Sequence, residues 1–454
     1  MIELPDGHVL VPDNRWDLAP DVDVTPHVAV VIPYYDQPRQ LMLVLAGLVA
    51  QNYPADKLHV TVADDGSAVP FEIDPATTEL DITVVRQDDL GFRAAAARNL
   101  GAANSLGDVL CFLDADTVPE PDYVRNAVRL PAVLPDALVV GRRLHADLTT
   151  VTADTVVTWM RSVDASDPRR ASQPAWLAEA YDRTDDLLHP GWDAYKYMIS
   201  AVLTCSRRLF DATGGFDESF VEYGGEDWEF ANRAFMMGAV YAHRPDAVAW
   251  HDGPDWAGRE VSDRTDEKNA EALALAPLLT DPVARRFGVR YRIPDCVVHL
   301  HTDGHSAASL LRTVSSILAL PDVAVHLVGS DAEKLWQRMG LDDSRVRVAE
   351  PDERSLRRCR LIMSVRGRVV FESDVVSRLA ADLGPGGAGV AVVELPGGAS
   401  VVVRSSRCIH RSTRWASAIG RSAEALQDSL FGTRNYDADE LGIRVEPSEP
   451  ELWW

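Results

Sequence analysis

The chain has 454 residues, enough for two to three domains, and its 46% hydrophobic and 25% charged residues are typical of a globular protein. The formal net charge of −24 argues against a nucleic-acid partner, which would need a basic stripe. No apolar run reaches the roughly 18 residues of a membrane span, and the five scattered cysteines lack the spacing of a zinc site or a disulfide framework.

The amino-terminal sequence MIELPDGHVL lacks a basic region followed by an apolar core, so we expect no secretory signal and a reducing, cytoplasmic location. Cys111 and Cys296 lie in apolar runs and are predicted to be core residues. Charge is uneven, with 24 Lys and Arg against 47 Asp and Glu in residues 1–288, and 21 against 22 in residues 289–454. This predicts a domain boundary near 288, and residues 1–27 are predicted to be a Pro- and Asp-rich lead-in.

Short apolar runs alternate with helical periodicity over the first third of the chain. Strands are predicted at 28–32, 58–63, 82–86 and 109–113, with a helix around Leu41 to Val49 and an alanine-rich helix that carries Arg98. Strands that alternate with helices predict an α/β fold with a doubly wound, mostly parallel sheet.

Polar residues follow these strands where each one ends: Tyr34, Asp36, Asp64, Asp65, Asp114 and Asp116. Ligands of such sheets bind beyond the carboxyl ends of the strands. Asp114 and Asp116 stand at i and i+2 and can meet one hard cation that also holds a phosphate-bearing substrate. With 69 acidic residues a D-x-D sequence arises easily by chance, so its position after a buried strand gives it weight. Pro119 and Pro121 are predicted to end the strand and to lead into a helix.

Residues 150–200 are predicted to be irregular and are rich in aromatic residues. Trp192 and Tyr197 are candidates for a platform on which a sugar or peptide acceptor stacks, and core packing is the alternative. Further on, Gly224 and Gly225 precede a predicted helix with Glu226 and Asp227 in its first turn. These acids either stabilise the helix dipole or supply a general base.

His251 ends an apolar strand and is a candidate ligand, followed by a predicted lid over 253–266. The region 289–454 repeats the strand and helix order of the first half, and Glu372 and Asp374 have the spacing of a second metal pair. It lacks a G-G-E-D segment, so we interpret it as a smaller, degenerate copy with a structural, dimerising or acceptor-docking role.

Five stretches within residues 28–255 carry a family resemblance when taken in order: VVIPYYDQPRQLMLVLAGLVAQ, VADDGS, GFRAAAARNLGA, FLDAD and GGFDESFVEYGGEDWEFANRAFMMGA. They resemble the GT-A family 2 glycosyltransferases. The last stretch is similar to a segment shared by galactosyltransferases and chondroitin-type polymerases. The resemblance implies a GT-A catalytic domain over 28–288. Two-domain polymerases of this kind carry two intact D-x-D sites, from which this chain departs.

The resemblance also assigns roles. For the nucleotide sugar it implies Pro33, Tyr34 and Tyr35 at the base, Asp64 or Asp65 at the uracil or ribose, Arg93 and Arg98 near the nucleotide, and Asp114 at the ribose and metal. For Mn²⁺ or Mg²⁺ it implies Asp114, Asp116 and His251. For the acceptor it implies Asp227 as the base, with Glu226 and Trp228 facing the acceptor.

The expected activity is metal-dependent transfer of a sugar, with a UDP-sugar as the expected donor, to a soluble oligosaccharide, peptide or natural product. A single base without a covalent nucleophile implies inversion. A nucleotidyltransferase would need a Gly-rich, basic loop after the first strand, where this chain has PYYDQPRQ. A non-catalytic carbohydrate-binding protein would not need both acidic motifs. Homodimer formation is a further hypothesis.

Overall fold

The computed structural model describes residues 1–73, 79–164, 166–167, 169–171, 174–221, 224–253, 261–285, 289–372 and 374–453. The chain forms two compact units: unit 1 is Met1–Phe235 with Ala239–Leu275, and unit 2 is Met236–Gly238 with Ala276–Trp454. This division falls before the boundary that charge alone places near 288. None of the helices in the described part of the chain has the length and apolar composition that crossing a lipid bilayer requires.

Unit 1 alternates strands and helices along most of its length. Its strands are β1 Ile2–Glu3, β2 Val9–Leu10, β3 Val28–Tyr34, β4 Leu58–Asp64, β5 Asp81–Arg86, β6 Val109–Leu113, β7 Thr117–Pro119, β8 Ala137–Ala146, β9 Arg170–Ala171, β10 Val202–Ser206 and β11 Val240–Asp252. Its α-helices are α1 Pro38–Val49, α2 Ala94–Ala103, α3 Tyr123–Val128, α4 Ala153–Ser162, α5 Ala175–Thr184, α6 Arg207–Thr213, α7 Glu226–Met236 and α8 Val261–Leu275.

Nine strands of unit 1 form one sheet in the order β5-β4-β3-β6-β10-β8-β11-β7, with β9 paired to β8. The strands β5, β4, β3 and β6 run parallel. β10 is antiparallel to both of its neighbours, β6 and β8, and β11 runs parallel to β8. The predicted α/β class with a mostly parallel sheet is confirmed.

The central strands are buried on both faces, which explains their uninterrupted apolar sequences. The residues of β6, VLCFL, are each at most 1% exposed, and so are Val28 to Ile32 of β3. The described structure has all five cysteines as buried free thiols, so the core positions predicted for Cys111 and Cys296 are confirmed. These strands hold Tyr34 and Asp114 at one rim of the sheet.

Two local predictions for unit 1 are wrong. Pro119 does not end β6: it lies in β7, which pairs antiparallel with β11 at the edge of the sheet, where a residue without an N–H is tolerated. The region 150–200 is not irregular, since it contains α4 and α5. Residues 254–260 of the lid predicted over 253–266 lie outside the described residues, and residues 261–266 belong to α8.

Unit 2 has its own sheet. Its strands are β12 Cys296–His301, β13 Val323–Val328, β14 Val346–Arg347, β15 Leu361–Arg366, β16 Val369–Phe371, β17 Val390–Glu394, β18 Ser400–Ser405, β19 Thr433–Asn435 and β20 Ile443–Val445. Its α-helices are α9 Ala307–Leu318, α10 Ala332–Met339, α11 Glu353–Leu356, α12 Val375–Asp382, α13 Ser406–Ile419 and α14 Ala423–Phe431.

The sheet of unit 2 has the order β14-β13-β12-β15-β18-β17-β19. Its first four strands are parallel, β18 is antiparallel to β15 and β17, and β19 is parallel to β17. This repeats β5-β4-β3-β6-β10-β8-β11 in spatial order, direction and order along the chain. The register agrees as well, because Val109 pairs with Ser206 as Leu361 pairs with Ser405. The agreement supports the interpretation of unit 2 as a degenerate copy.

The second metal pair predicted at Glu372 and Asp374 does not occupy the place of Asp114 and Asp116. Phe371 ends β16, which pairs antiparallel with β20 as β7 pairs with β11. β16 therefore matches β7, and the turn that matches Asp114–Asp116 lies between β15 and β16. In the sequence, an apolar run followed by acidic residues looks the same after a strand like β6 as after a strand like β7.

Candidate active site

The carboxyl ends of β3, β4 and β6 lie at one rim of the unit 1 sheet, where parallel sheets bind their ligands. Two cavities open along this rim, a first cavity of about 460 Å³ and a second cavity of about 500 Å³. Phe92, Arg98, Asp114 and Arg143 line both of them. The two cavities therefore meet at these four side chains.

The first cavity gathers most of the residues predicted to bind the nucleotide and metal: Pro33, Tyr34, Tyr35, Asp65, Arg98, Asp114, Asp116 and His251. The Tyr34 ring is buried 5.4 Å from the ring of Phe71, measured between centroids. The Tyr35 side chain is 47% exposed, and its hydroxyl donates to a carboxylate oxygen of Asp89 at 3.4 Å. An exposed ring at the edge of a cavity offers a face on which a planar base can stack.

Asp64 and Asp65, left as alternatives by the sequence, have different surroundings. The Asp64 carboxylate does not line the cavity, since it accepts from the Ser67 amide at 2.8 Å and pairs with Arg86 at 2.8 Å. The Asp65 carboxylate lines the cavity and accepts from the side-chain amide of Gln87 at 2.6 Å. Its other oxygen accepts from the backbone N–H of Arg93 at 2.8 Å, whereas the Arg93 side chain does not line either cavity.

Arg98 connects the two cavities. Its guanidinium donates to Asp114 at 2.8 Å and to Glu226 at 2.9 Å, and the residue is only 3% exposed. The ring of Phe216 lies 5.4 Å from the guanidinium carbon. A buried arginine of this kind is stable only because paired carboxylates replace its hydration. It thereby fixes the carboxylate that follows β6 relative to the carboxylate that begins α7.

Asp116 and His251 face each other in the first cavity, with Oδ2 and Nε2 3.4 Å apart. Burial opposes the charge of each group, but their mutual hydrogen bond and attraction prevail, lowering the pKa of Asp116 and raising the pKa of His251. Adjacent ligands of an octahedral ion with bonds of about 2.0–2.1 Å lie about 3 Å apart, so this pair fits a divalent cation. Among the described residues, no three His, Cys, Asp or Glu side chains form a group that could hold a metal ion, and Asp114 accepts a hydrogen bond from Arg98.

Asp227 lines the second cavity in the first turn of α7, where it is half-buried. One of its oxygens accepts from the backbone N–H of Trp228 at 2.8 Å, and the other from that of Ser200 at 3.4 Å. Burial and the negative charge of Glu226 raise the pKa of Asp227 to about 7, against the opposing effect of Arg98. A carboxylate with such a pKa is matched to taking a proton near neutral pH.

Glu226 has a different role from its neighbour. One carboxylate oxygen is bound by Arg98, and the other is buried with no hydrogen-bond partner among the described residues. A buried acceptor without a donor is costly, so a ligand hydroxyl that reached it would be favoured. The preceding Gly225 has φ +92°, and a Cβ there would lie 3.1 Å from Phe220. The glycine pair therefore gives the backbone a turn that other residues would strain.

Of the aromatic residues considered for the acceptor platform, some line the second cavity and one packs against another ring instead. Tyr197 and Trp228, two of the candidates for acceptor binding, line the second cavity, whereas Trp192 does not and packs edge-on against Phe235 at 6.2 Å. Trp176 lines the cavity instead, 43% exposed and 6.3 Å from the Tyr197 ring. The hydroxyl of Tyr197 accepts from Arg183 at 2.7 Å.

Sequence reasoning missed several residues that line the cavities: Gln37, Asp89, Phe92, Arg143, Trp176, Lys196, Ser200, Lys268 and Glu271. For Arg143, a signal existed in the run Val139-Val140-Gly141-Arg142-Arg143, where a strand turns from apolar to basic residues. Lys268 and Glu271 form an ion pair on α8, and Lys268 lies 5.5 Å from the Trp228 ring. Nothing in the sequence of α8 distinguishes these two residues from its other charged residues.

Residues 29–171 match the family described as Glycosyl transferase family 2, and residues 190–247 match the family described as N-terminal domain of galactosyltransferase. Chondroitin synthase of Pasteurella multocida strain Pm70 is 28% identical over 263 residues, which are 55% of this chain and 26% of that protein. Validoxylamine A glucosyltransferase of Streptomyces hygroscopicus subsp. limoneus is 29% identical over 278 residues, 57% of each chain.

The matched part of the chain thus spans 26% and 57% of the lengths of these two relatives. Among solved structures, a mannosyltransferase of Pyrobaculum calidifontis in complex with GDP-Man and Mn²⁺ is similar at 22% identity and a TM-score of 0.37, over 58% of this chain and 64% of that chain. The two family matches include most of the residues that line the cavities, and Trp176, His251, Lys268 and Glu271 lie outside the matched ranges. Unit 1 therefore carries a glycosyl transferase family 2 domain over residues 29–171, followed by a match to the galactosyltransferase family over residues 190–247.

Proposed function

We propose that unit 1 transfers a sugar from a nucleotide-diphosphate donor to a hydroxyl group of an acceptor, with inversion at the anomeric carbon. The observation that carries this proposal is the meeting of two cavities at Asp114 and Arg98. One cavity presents an acidic pair and a histidine, and the other presents Asp227 with a pKa of about 7. A transferase needs two adjoining sites, because the acceptor hydroxyl must approach the anomeric carbon of the donor while both substrates are bound.

The first cavity receives the donor. Tyr34 and Tyr35 flank the base, and Asp65 lies where a ribose or base hydrogen-bond donor can reach it. Asp116 and His251, with Asp114, would hold Mn²⁺ or Mg²⁺. When bound, the ion neutralises the negative charge that develops on the departing nucleoside diphosphate. Arg98 keeps Asp114 in place beside the acceptor cavity.

The second cavity receives the acceptor. Asp227 takes the proton of the attacking hydroxyl, and Glu226 offers its unpartnered oxygen to a neighbouring acceptor hydroxyl. Trp228, Trp176 and Tyr197 supply apolar faces of the kind on which sugar rings stack. In a direct displacement the acceptor oxygen bonds to the anomeric carbon as the diphosphate leaves, so no enzyme-bound sugar forms.

The donor is proposed to be a UDP-sugar and the acceptor a soluble oligosaccharide or small molecule. The named relatives include a chondroitin synthase and a validoxylamine A glucosyltransferase. The test is a panel of nucleotide sugars with Mn²⁺, in which nucleoside diphosphate release and the mass of the acceptor product are both measured. Release without a sugar-bearing product would identify a hydrolase, and no release with any donor would contradict the proposal.

A further inference from the structure

The turn between β15 and β16 in unit 2 stands in the place of the D-x-D turn of unit 1. In unit 1 the turn joins β6 to the three-residue strand β7, which pairs antiparallel with β11. In unit 2 the turn joins β15 to the three-residue strand β16, which pairs antiparallel with β20. The Asp252 backbone N–H donates to the carbonyl of Asp116 at 2.9 Å, and the Glu446 backbone N–H donates to the carbonyl of Arg368 at the same distance. Arg366, Gly367 and Arg368 therefore replace Asp114, Ala115 and Asp116.

We propose that this turn binds the diphosphate group of a nucleotide-type ligand without a metal ion. Two carboxylates suit a divalent cation, whereas two guanidinium groups carry fixed positive charge and bind phosphate oxygens directly. The choice of a diphosphate rests on the proposed function, in which the matching turn of unit 1 faces the donor diphosphate. That the turn binds an oxyanion does not rest on it.

Arg366 is available for such a ligand. Its side chain is exposed, and within the described part of the chain its guanidinium has no hydrogen-bond or ion-pair partner. It ends β15 opposite His301 in the register of β12. Burial and the charge of Arg366 lower the pKa of His301, so this histidine is neutral at pH 7 and the positive charge lies on the arginines.

The carboxylate of Glu449 already lies beside this turn, where an oxyanion of a ligand could bind in its place. Arg368 pairs with the carboxylate of Glu449 at 3.2 Å, and the Ser306 hydroxyl donates to the same carboxylate. Ser306 caps the amino end of α9, whose dipole also favours an anion there. The Glu449 side chain is 51% exposed, so a ligand oxyanion can displace it at small cost.

Two acidic residues near the turn, Asp331 and Asp303, reduce its net positive charge. Asp331 accepts from the Thr302 hydroxyl at 2.7 Å, and Asp303 lies near His301. His305 is held by Ser309 and by the carbonyl of Gly367 at 3.1 Å. Among the described residues of this turn, the guanidinium of Arg366, together with that of Arg368 once Glu449 is displaced, can thus receive an incoming anion.

The test measures binding of inorganic pyrophosphate by calorimetry, in excess chelator, to the full chain with Asp116→Asn. These conditions remove the metal-dependent site of unit 1, so failure here and failure of the proposed function are separate results. We expect binding that Arg366→Gln weakens about tenfold or more, that Arg368→Lys weakens less, and that Glu449→Gln strengthens.

The matched control is Arg347→Gln, an exposed arginine that lines a separate basic cavity of unit 2. It should leave pyrophosphate binding unchanged. Absence of binding, or loss of binding in Arg347→Gln but not in Arg366→Gln, would overturn the proposal. So would binding of glucuronate with no binding of pyrophosphate, because the ligand would then be a sugar carboxylate. Circular dichroism of each variant checks that it is folded.

Discussion

Asp227, the proposed general base, offers the sharpest test, because burial and the charge of Glu226 raise its pKa to about 7. With the pKa of Asp227 near 7, about one-tenth of the molecules carry the basic form at pH 6 and about nine-tenths at pH 8. Turnover at saturating donor, acceptor and metal should therefore rise roughly tenfold between these values. Asp227→Asn keeps the shape of the side chain and removes its basicity, so turnover should fall about 10²–10⁴-fold, with donor affinity little changed.

A substitution of the neighbouring residue Glu226 checks whether Asp227 is the group that titrates. Because the charge of Glu226 helps to raise the pKa of Asp227, Glu226→Gln should move the rise in turnover to lower pH. The assay is turnover against pH for the three proteins, with product formation followed directly. An unshifted profile in Glu226→Gln would show that Asp227 is not the titrating group. Near-normal turnover in Asp227→Asn together with loss in Glu226→Gln would exchange the two roles.

The remaining predictions concern the metal, unit 2 and the acceptor platform. Chelator should abolish turnover, and Asp116→Ala should remove most affinity for nucleoside diphosphate in the presence of Mn²⁺, as measured by calorimetry; full activity in excess chelator would contradict the metal site. Asp374→Asn should leave turnover nearly unchanged, because this side chain is exposed and lies outside the turn that matches the D-x-D motif, and a large loss in the folded variant would show that it acts in a second catalytic site. Trp176→Ala should raise the acceptor KM about fivefold or more by removing a stacking face, with the donor KM unchanged, whereas Trp192→Ala should leave both KM values unchanged; the reverse pattern would place the platform at Trp192.

The central strands were predictable because their residues are buried on both faces. In such strands each residue is apolar, as in VLCFL of β6, and the run ends where the chain reaches solvent or a ligand. The same logic located Asp114 and Tyr34 at one rim. Short strands such as β7 lack this signal, since three residues that include Pro119 do not form a period. β16 is equally short, so Glu372 resembles Asp114 in the sequence although the two follow different strands.

Choices between neighbouring side chains could not be made from the sequence. Asp64 and Asp65 are adjacent, and their different surroundings come from Arg86, the last residue of β5, and from Gln87, which follows it. The ring of Trp176 lines the second cavity, whereas the ring of Trp192 packs against Phe235, and the sequence around each does not show this difference. Such outcomes depend on contacts between distant parts of the chain, whereas periodicity reports only on neighbours along it.

The long strand β11 has a consequence for how this protein tolerates insertions. Its pairing with β8 is interrupted between Arg244 and Val248, and each side of the interruption has its own register. A residue added at 245–247 would lengthen the bulge, leaving His251 opposite His145 as it is now. A residue added between Val248 and His251 would instead turn the imidazole to the other face of the sheet, away from Asp116. Changes in chain length are thus absorbed on one side of Val248, and on the other side they separate His251 from Asp116.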